Sequence, residues 1–154
     1  MNILSKVAVA GFAALVMPAA AWAACPSYAQ NGAPLSFTAE SAYIPQAVPV
    51  IAGGDLDLST CAQVPGVGYI VQNPDFTMQY NDLGMGRALE IRVQASCDTV
   101  LLVNTTQGAW LYNDDANGID PGLRIEHAPG GQYDIWVGTY GPQTCDAQLQ
   151  IETF

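Results

Sequence analysis

Apolar and polar residues alternate with a period of two through much of the chain. Phe76, Met78 and Tyr80 share one side of a run whose other side holds Thr77 and Gln79. Leu89, Ile91 and Val93 alternate with Glu90, Arg92 and Gln94; Tyr133, Ile135 and Val137 with Asp134 and Trp136; Ala147, Leu149 and Ile151 with Gln148, Gln150 and Glu152. Successive side chains of an extended strand point to opposite faces, so each run predicts a strand with one core side and one outer side. Residues 99–103, Thr-Val-Leu-Leu-Val, are apolar without alternation, the pattern of a strand covered on both faces. Shorter strand-like runs lie at 35–39, 50–52, 55–58, 68–71, 109–112 and 123–125, and Pro45 and Pro49 confine the stretch at 43–49 to an edge or a connection.

Turn formers separate these runs: Gly53-Gly54, Pro65-Gly66, Asn73-Pro74 and Pro129-Gly130-Gly131. No stretch beyond the N-terminal leader keeps a helical period over three turns. About eight to ten short strands spaced in this way predict an all-β fold, an antiparallel β-sandwich or jelly roll. The expected organisation is a leader at 1–23, a strand-bearing N-terminal extension at 24–74, and a sandwich module at 75–154.

The leader is read from Lys6, the apolar run at 7–17, and Ala21-Trp22-Ala23, which together have the form of a cleaved export signal. That run is shorter than the roughly 20 residues a membrane-spanning helix needs, and no later run approaches that length. Export predicts a periplasmic or extracellular protein. Cleavage removes the only lysine and leaves Arg87, Arg92 and Arg124 against all 14 carboxylates. Nucleic acid is thereby excluded as a partner, because phosphate contacts need clustered Lys and Arg. The acidity fits solubility, calcium or a cationic partner.

All four cysteines fall beyond the leader. An even count in an oxidising compartment reads as two disulfides, with three possible connectivities; Cys25–Cys61 and Cys97–Cys145 are favoured because they staple the N-terminal segment and the C-terminal half separately. The competing reading, lipidation of Cys25, would strand three thiols and lacks the aliphatic residue a lipobox requires.

From about residue 75 to 152 the chain resembles the bacterial pre-peptidase C-terminal domain. The resemblance rests on the strand from Leu89 to Val93, the Asp98-Thr99-Val100-Leu101 opening, the Gly108 turn before a strand entering Asn113-Asp114-Asp115, the Gly-x-Tyr-x-Ile-x-Val run from Gly131 to Val137, and the closing x-Leu-x-Ile strand. It implies a small β-sandwich of the kind appended to secreted peptidases, some of which bind calcium or matrix material. The cysteines and the stretch at 35–73 fall outside that pattern.

Catalysis finds little support in the residues. His127 is the only histidine, it leads into a turn, and no Gly-x-Ser-x-Gly setting surrounds Ser27, Ser36, Ser41, Ser59 or Ser96. Asp114 and Asp115 are adjacent, so their side chains diverge in an extended segment and make a poor shared-proton pair. Two binding sites are candidates instead. Asn113-x-Asp115-x-Asn117-Gly118 copies the first half of a calcium loop, with Asp120 as a further carboxylate, although Arg124 stands where that pattern has a glutamate. The alternative for this stretch is an Asx-rich turn that satisfies its own backbone and needs no cofactor. Trp110 and Tyr112 on one strand, and Trp136 on the polar side of another, form a candidate platform for stacking a carbohydrate or a partner's side chain. The functional expectation is an exported, non-catalytic binding or accessory module for protein or carbohydrate. A secreted peptidase or peptidase-associated protein and a structural envelope component are the alternatives.

Overall fold

Residues 25–154 are described by a computed structural model, and the leader read at 1–23 lies outside them. Two β-sheets stack face to face. In the first, β1 (Ala33–Thr38) pairs with β5 (Phe76–Asn81), β5 with β10 (Gly131–Thr139), β10 with β7 (Thr99–Asn104), and β7 with β8 (Trp110–Asn113). The two-residue strands β3 (Leu56–Asp57) and β4 (Tyr69–Ile70) extend this sheet at the end of β10. The second sheet has the order β2 (Gln46–Ala52), β11 (Cys145–Thr153), β6 (Leu89–Ala95), β9 (Gly122–Ile125). The all-β sandwich matches the fold the alternation predicts.

The inward faces are those the alternation assigns. Phe76, Met78, Tyr80, Leu89, Ile91, Val93, Tyr133, Ile135, Val137, Ala147, Leu149 and Ile151 form one buried cluster, joined by Leu101 and Val103 of β7. Strand pairing differs from expectation in one place, because β1 and β5 run parallel. The chain leaves the first sheet after β1, forms β2 in the second, and returns so that β5 starts from the same end; no hairpin links the two. Pro49 lies in β2, an edge strand, where a missing backbone donor costs no ladder bond.

A second buried cluster lies outside the sandwich. Val100 and Leu102 of β7 and Trp136 of β10 point away from the main core and are enclosed with Leu56, Leu58, Cys61 and Ile70. This layer explains why β7 is buried throughout and apolar from Val100 to Val103. Gly138 permits its close approach: a Cβ built there would lie 2.6 Å from the Tyr69 carbonyl oxygen and 2.7 Å from a Val100 methyl. Between β5 and β4 the edge of β10 is closed by two single bonds. Asp75 Oδ2 accepts the Val137 N–H at 2.7 Å, and the Gly53 N–H donates to the Val137 carbonyl at 3.0 Å.

Both expected disulfides form, Cys25–Cys61 and Cys97–Cys145. The first ties the N-terminal end to the outer layer and the second joins the start of β11 to the segment between β6 and β7. They close separations of 36 and 48 residues, worth about 4 kcal/mol each in the chain-entropy picture. Among the described residues no helix is long and apolar enough to cross a membrane.

Candidate functional site

Among the described residues the outer face of the second sheet is uncovered along its length, whereas that of the first is covered at β7 and the second half of β10 and is exposed at Pro34, Ser36, Gln79 and Gln132. The register of the second sheet sets Gln148 opposite Gln94, Gln150 opposite Arg92 and Glu152 opposite Glu90, with Glu90 facing Arg124 on β9. Directly opposed carboxylates on adjacent strands repel. Arg92 resolves the conflict at Glu90 and Glu152 by bonding each at 2.7 Å. Arg124 extends the ladder, 3.2 Å from Glu90 and 2.7 Å from Glu126, while its guanidinium lies 4.5 Å from the centre of the Phe154 ring. The Gln150 amide donates to Gln94 at 3.0 Å. These side chains are half-buried to exposed, so the two Arg92 pairs contribute at most about 1 kcal/mol each to stability and the Arg124 pairs less. Their main effect is to hold long polar groups in fixed positions.

The loop after β8 rises beside this face and turns it into a groove of about 510 Å³, walled by Glu90, Arg92 and Gln94 on one side and Asn117, Asp120 and Pro121 on the other. The wall is built by backbone bonds. Asn117 and Asp120 pair across a two-residue turn, Gly118 adopts the left-handed conformation such turns favour, and the Ala116 and Asn117 amides donate to the Asp120 carbonyl at 3.1 and 3.0 Å. Asp120 Oδ1 accepts the Ala95 N–H at 3.1 Å and so pins the loop to the end of β6.

Of the four residues read as a cation loop, two meet at the groove and two do not. Asn117 and Asp120 line it. Asn113 Oδ1 instead accepts the Gly122 N–H at 2.9 Å and closes the base of the loop. Asp115 is exposed and sits near Asp98 and Asp114. Burial and then the charges of Asp115 and Asp114 raise the Asp98 carboxyl above its ordinary range. Asn113 and Asp120 thus each spend a side-chain oxygen on a backbone amide distant in sequence, Gly122 and Ala95.

The aromatic platform is corrected by the structure. Trp136 has 0% exposure, and its indole N–H donates to the Gln72 carbonyl at 3.3 Å. Its side of β10 is indeed opposite the main core, but residues from 56 to 70 cover it. Trp110 packs between Trp136 and Tyr28, with ring centres 5.3 and 6.0 Å away. Tyr112 donates its hydroxyl to the Val67 carbonyl at 2.9 Å, and burial is the main cause that pushes its phenol up to about 12. All three rings serve the covered layer.

His127 adopts a left-handed backbone conformation, φ 51°, and its Nδ1 lies 2.9 Å from the Gly86 carbonyl oxygen. The hydroxyls of Ser27, Ser41 and Ser59 serve turns within three residues of themselves.

The groove residues Glu90, Arg92, Gln94, Arg124 and Gln150, and Glu152 beside them on the same face, carry no motif. Their signal in the sequence is the polar half of the alternation in β6 and β11, which says that the face is polar. It does not reveal which residues stand opposite one another.

No family model matches the chain, and no curated protein matches it. Among solved structures, the fold is similar to the pre-peptidase C-terminal domain of collagenase from Bacillus anthracis, with a TM-score of 0.46 and 12% identity over 80% of this chain and 98% of that one. It is also similar to PliG of Aeromonas hydrophila, a periplasmic lysozyme inhibitor of g-type lysozyme, with a TM-score of 0.42 and 12% identity over 80% of this chain and 99% of that one. Both are likenesses of fold alone. The first is the module that residues 75–152 resemble.

Proposed function

We propose that the protein is an exported, non-catalytic binding module that holds a cationic protein partner on the uncovered face of its second sheet. One observation carries the reading: the chain covers the outer face of its first sheet at β7 and the second half of β10 with its own residues, and leaves the outer face of the second sheet as a polar surface with a groove walled by ion-paired side chains. The sign of the partner follows from charge. The face presents Glu90, Asp120, Glu126, Asp146 and Glu152 against Arg92 and Arg124, on a chain whose net charge is already −10. Such a surface attracts basic proteins from a distance and repels acidic ones.

A direct-binding assay tests this. Immobilised protein is exposed to an arginine- and lysine-rich peptide and to an acidic peptide of equal length, at two salt concentrations. The basic peptide binds, its affinity falls as salt rises, and Gln94→Arg with Gln150→Arg weakens it about tenfold while the circular dichroism spectrum is unchanged. Equal binding of both peptides, or no effect of the two arginines, overturns the proposal.

A further inference from the structure

The groove beside the loop does not end at β6. A second trough of about 770 Å³ crosses β11 to β2, lined by Pro49, Ile51, Gln94, Ser96, Asp146 and Gln148. Gln94 borders both. The register sets Ile51 beside Asp146 and Gln148 between Pro49 and Gln94. Asp120 bonds the Ala95 amide at the far side of β6. One continuous channel therefore runs across the strands, with apolar Pro49 and Ile51 at the β2 end, Asp146 and Gln94 in the middle, and Asn117 and Asp120 at the loop end. Ile51 is 59% exposed, unusual for an isoleucine on an otherwise polar sheet face.

Accepting that this face is the binding face, we infer that its occupant is an extended segment of a partner protein, laid across the strands, with an apolar side chain at Ile51 and a Lys or Arg at Asp120. The spacing follows from sheet geometry. From β2 to the loop is three strand separations, about 14 Å at roughly 4.8 Å each. An extended chain advances about 3.3 Å per residue and points alternate side chains to one side, so residues four apart, about 13 Å, reach both ends from the same face. Residues three apart do not, because their side chains point opposite ways. The middle of the channel offers Gln94 and Gln148 amides, which both donate and accept and so suit a peptide backbone.

The test uses twelve-residue peptides with a Ser/Thr/Gly background, each carrying one Leu and one Arg, titrated against the full chain. A Leu–Arg separation of four binds about tenfold more tightly than a separation of three, and than a separation of four with Glu replacing Arg. Ile51→Asp and Asp146→Lys, both at exposed positions, remove that preference while thermal melting stays within a degree or two of the parent. If basic peptides bind without regard to spacing, the extended-segment assignment fails and the binding-face reading stands. If no basic peptide binds, both fall. Sedimentation of the protein alone reads the rival occupant, a second copy: a monomer at tens of micromolar is expected, and a dimer that Ile51→Asp dissociates overturns the assignment.

Discussion

Where β7 meets the second half of β10, the outer face of the first sheet carries Val100, Leu102 and Trp136 and is sealed under Leu56, Leu58, Cys61 and Ile70; that of the second sheet carries Glu90, Arg92, Gln94 and Gln150 and meets solvent. Both belong to strands of the same sandwich, and both lie opposite the same core. The difference comes from what the chain places over them. Residues 25–72 supply a cover for the β7 side of one sheet, tethered by Cys25–Cys61 and by the bonds of Trp136 and Ser27 to the Gln72 carbonyl. The other sheet receives from the same segment only its edge strand β2. Burial on the covered side is an energetic device that enlarges a small core, whereas the charged ladder on the uncovered side adds little stability and much positional order.

This contrast predicts unequal costs of mutation. The largest effect falls on the covered side. Trp136→Ala empties a site shared with six other buried residues and lowers unfolding free energy by about 3–5 kcal/mol in urea denaturation. A loss below about 1 kcal/mol would mean that the outer layer is not a packed core.

The second effect concerns Asp75, which joins β5 to β10 where the layer begins. Burial pushes its carboxyl up to about 6 from an ordinary 3.8, more than its bonds to backbone N–H groups pull it down. The folded chain therefore binds this proton more tightly than the unfolded one. Its contribution favours folding fully below pH 3.8 and is lost as pH rises through about 6, a swing of about 3 kcal/mol. Asp75→Asn removes this part of the slope, which a comparison of urea midpoints at pH 4, 5, 6 and 7 reads directly. Parallel pH profiles for parent and variant would contradict it.

On the uncovered side Arg92→Gln breaks two ion pairs that are a third or less exposed and costs up to about 1 kcal/mol, most of it removed by raised salt. A cost near that of Trp136→Ala would make the ladder structural. The smallest change is expected from metal. With Asn113 and Asp120 already bonded to backbone amides, the melting temperature shifts by less than about 1 °C between EDTA and millimolar calcium. A rise of several degrees would show that the loop holds a cation.

The sandwich itself was legible from alternation. Phe76, Met78 and Tyr80, Leu89, Ile91 and Val93, and the matching triads of β10 and β11 all face inward as their period demands. Trp136 shows where that reasoning stops. Alternation correctly set it opposite the core, but whether that side meets water depends on residues more than sixty positions away, whose strands β3 and β4 can be read as short runs at 55–58 and 68–71 with nothing to say which face they cover. The parallel pairing of β1 with β5 was hidden for the same reason, since it depends on the chain's route through the other sheet. The polarity of the groove could be read at Glu90-x-Arg92-x-Gln94 and Gln148-x-Gln150-x-Glu152, yet the alignment of those two runs is a fact of register. The loop could be read as Asx-rich, and its role as a wall follows only from the Asp120 bond to Ala95.

The central claim is that the uncovered sheet face, and not the aromatic layer, meets the partner. A titration of isotopically labelled protein with the Leu–Arg peptide of separation four, followed by amide and side-chain NMR shifts, tests it most directly. The account predicts shifts at Ile51, Gln94, Asn117, Asp146 and Gln148, with Tyr28, Trp110 and Trp136 unmoved. Shifts concentrated on those three aromatic residues, with the sheet face silent, would contradict it.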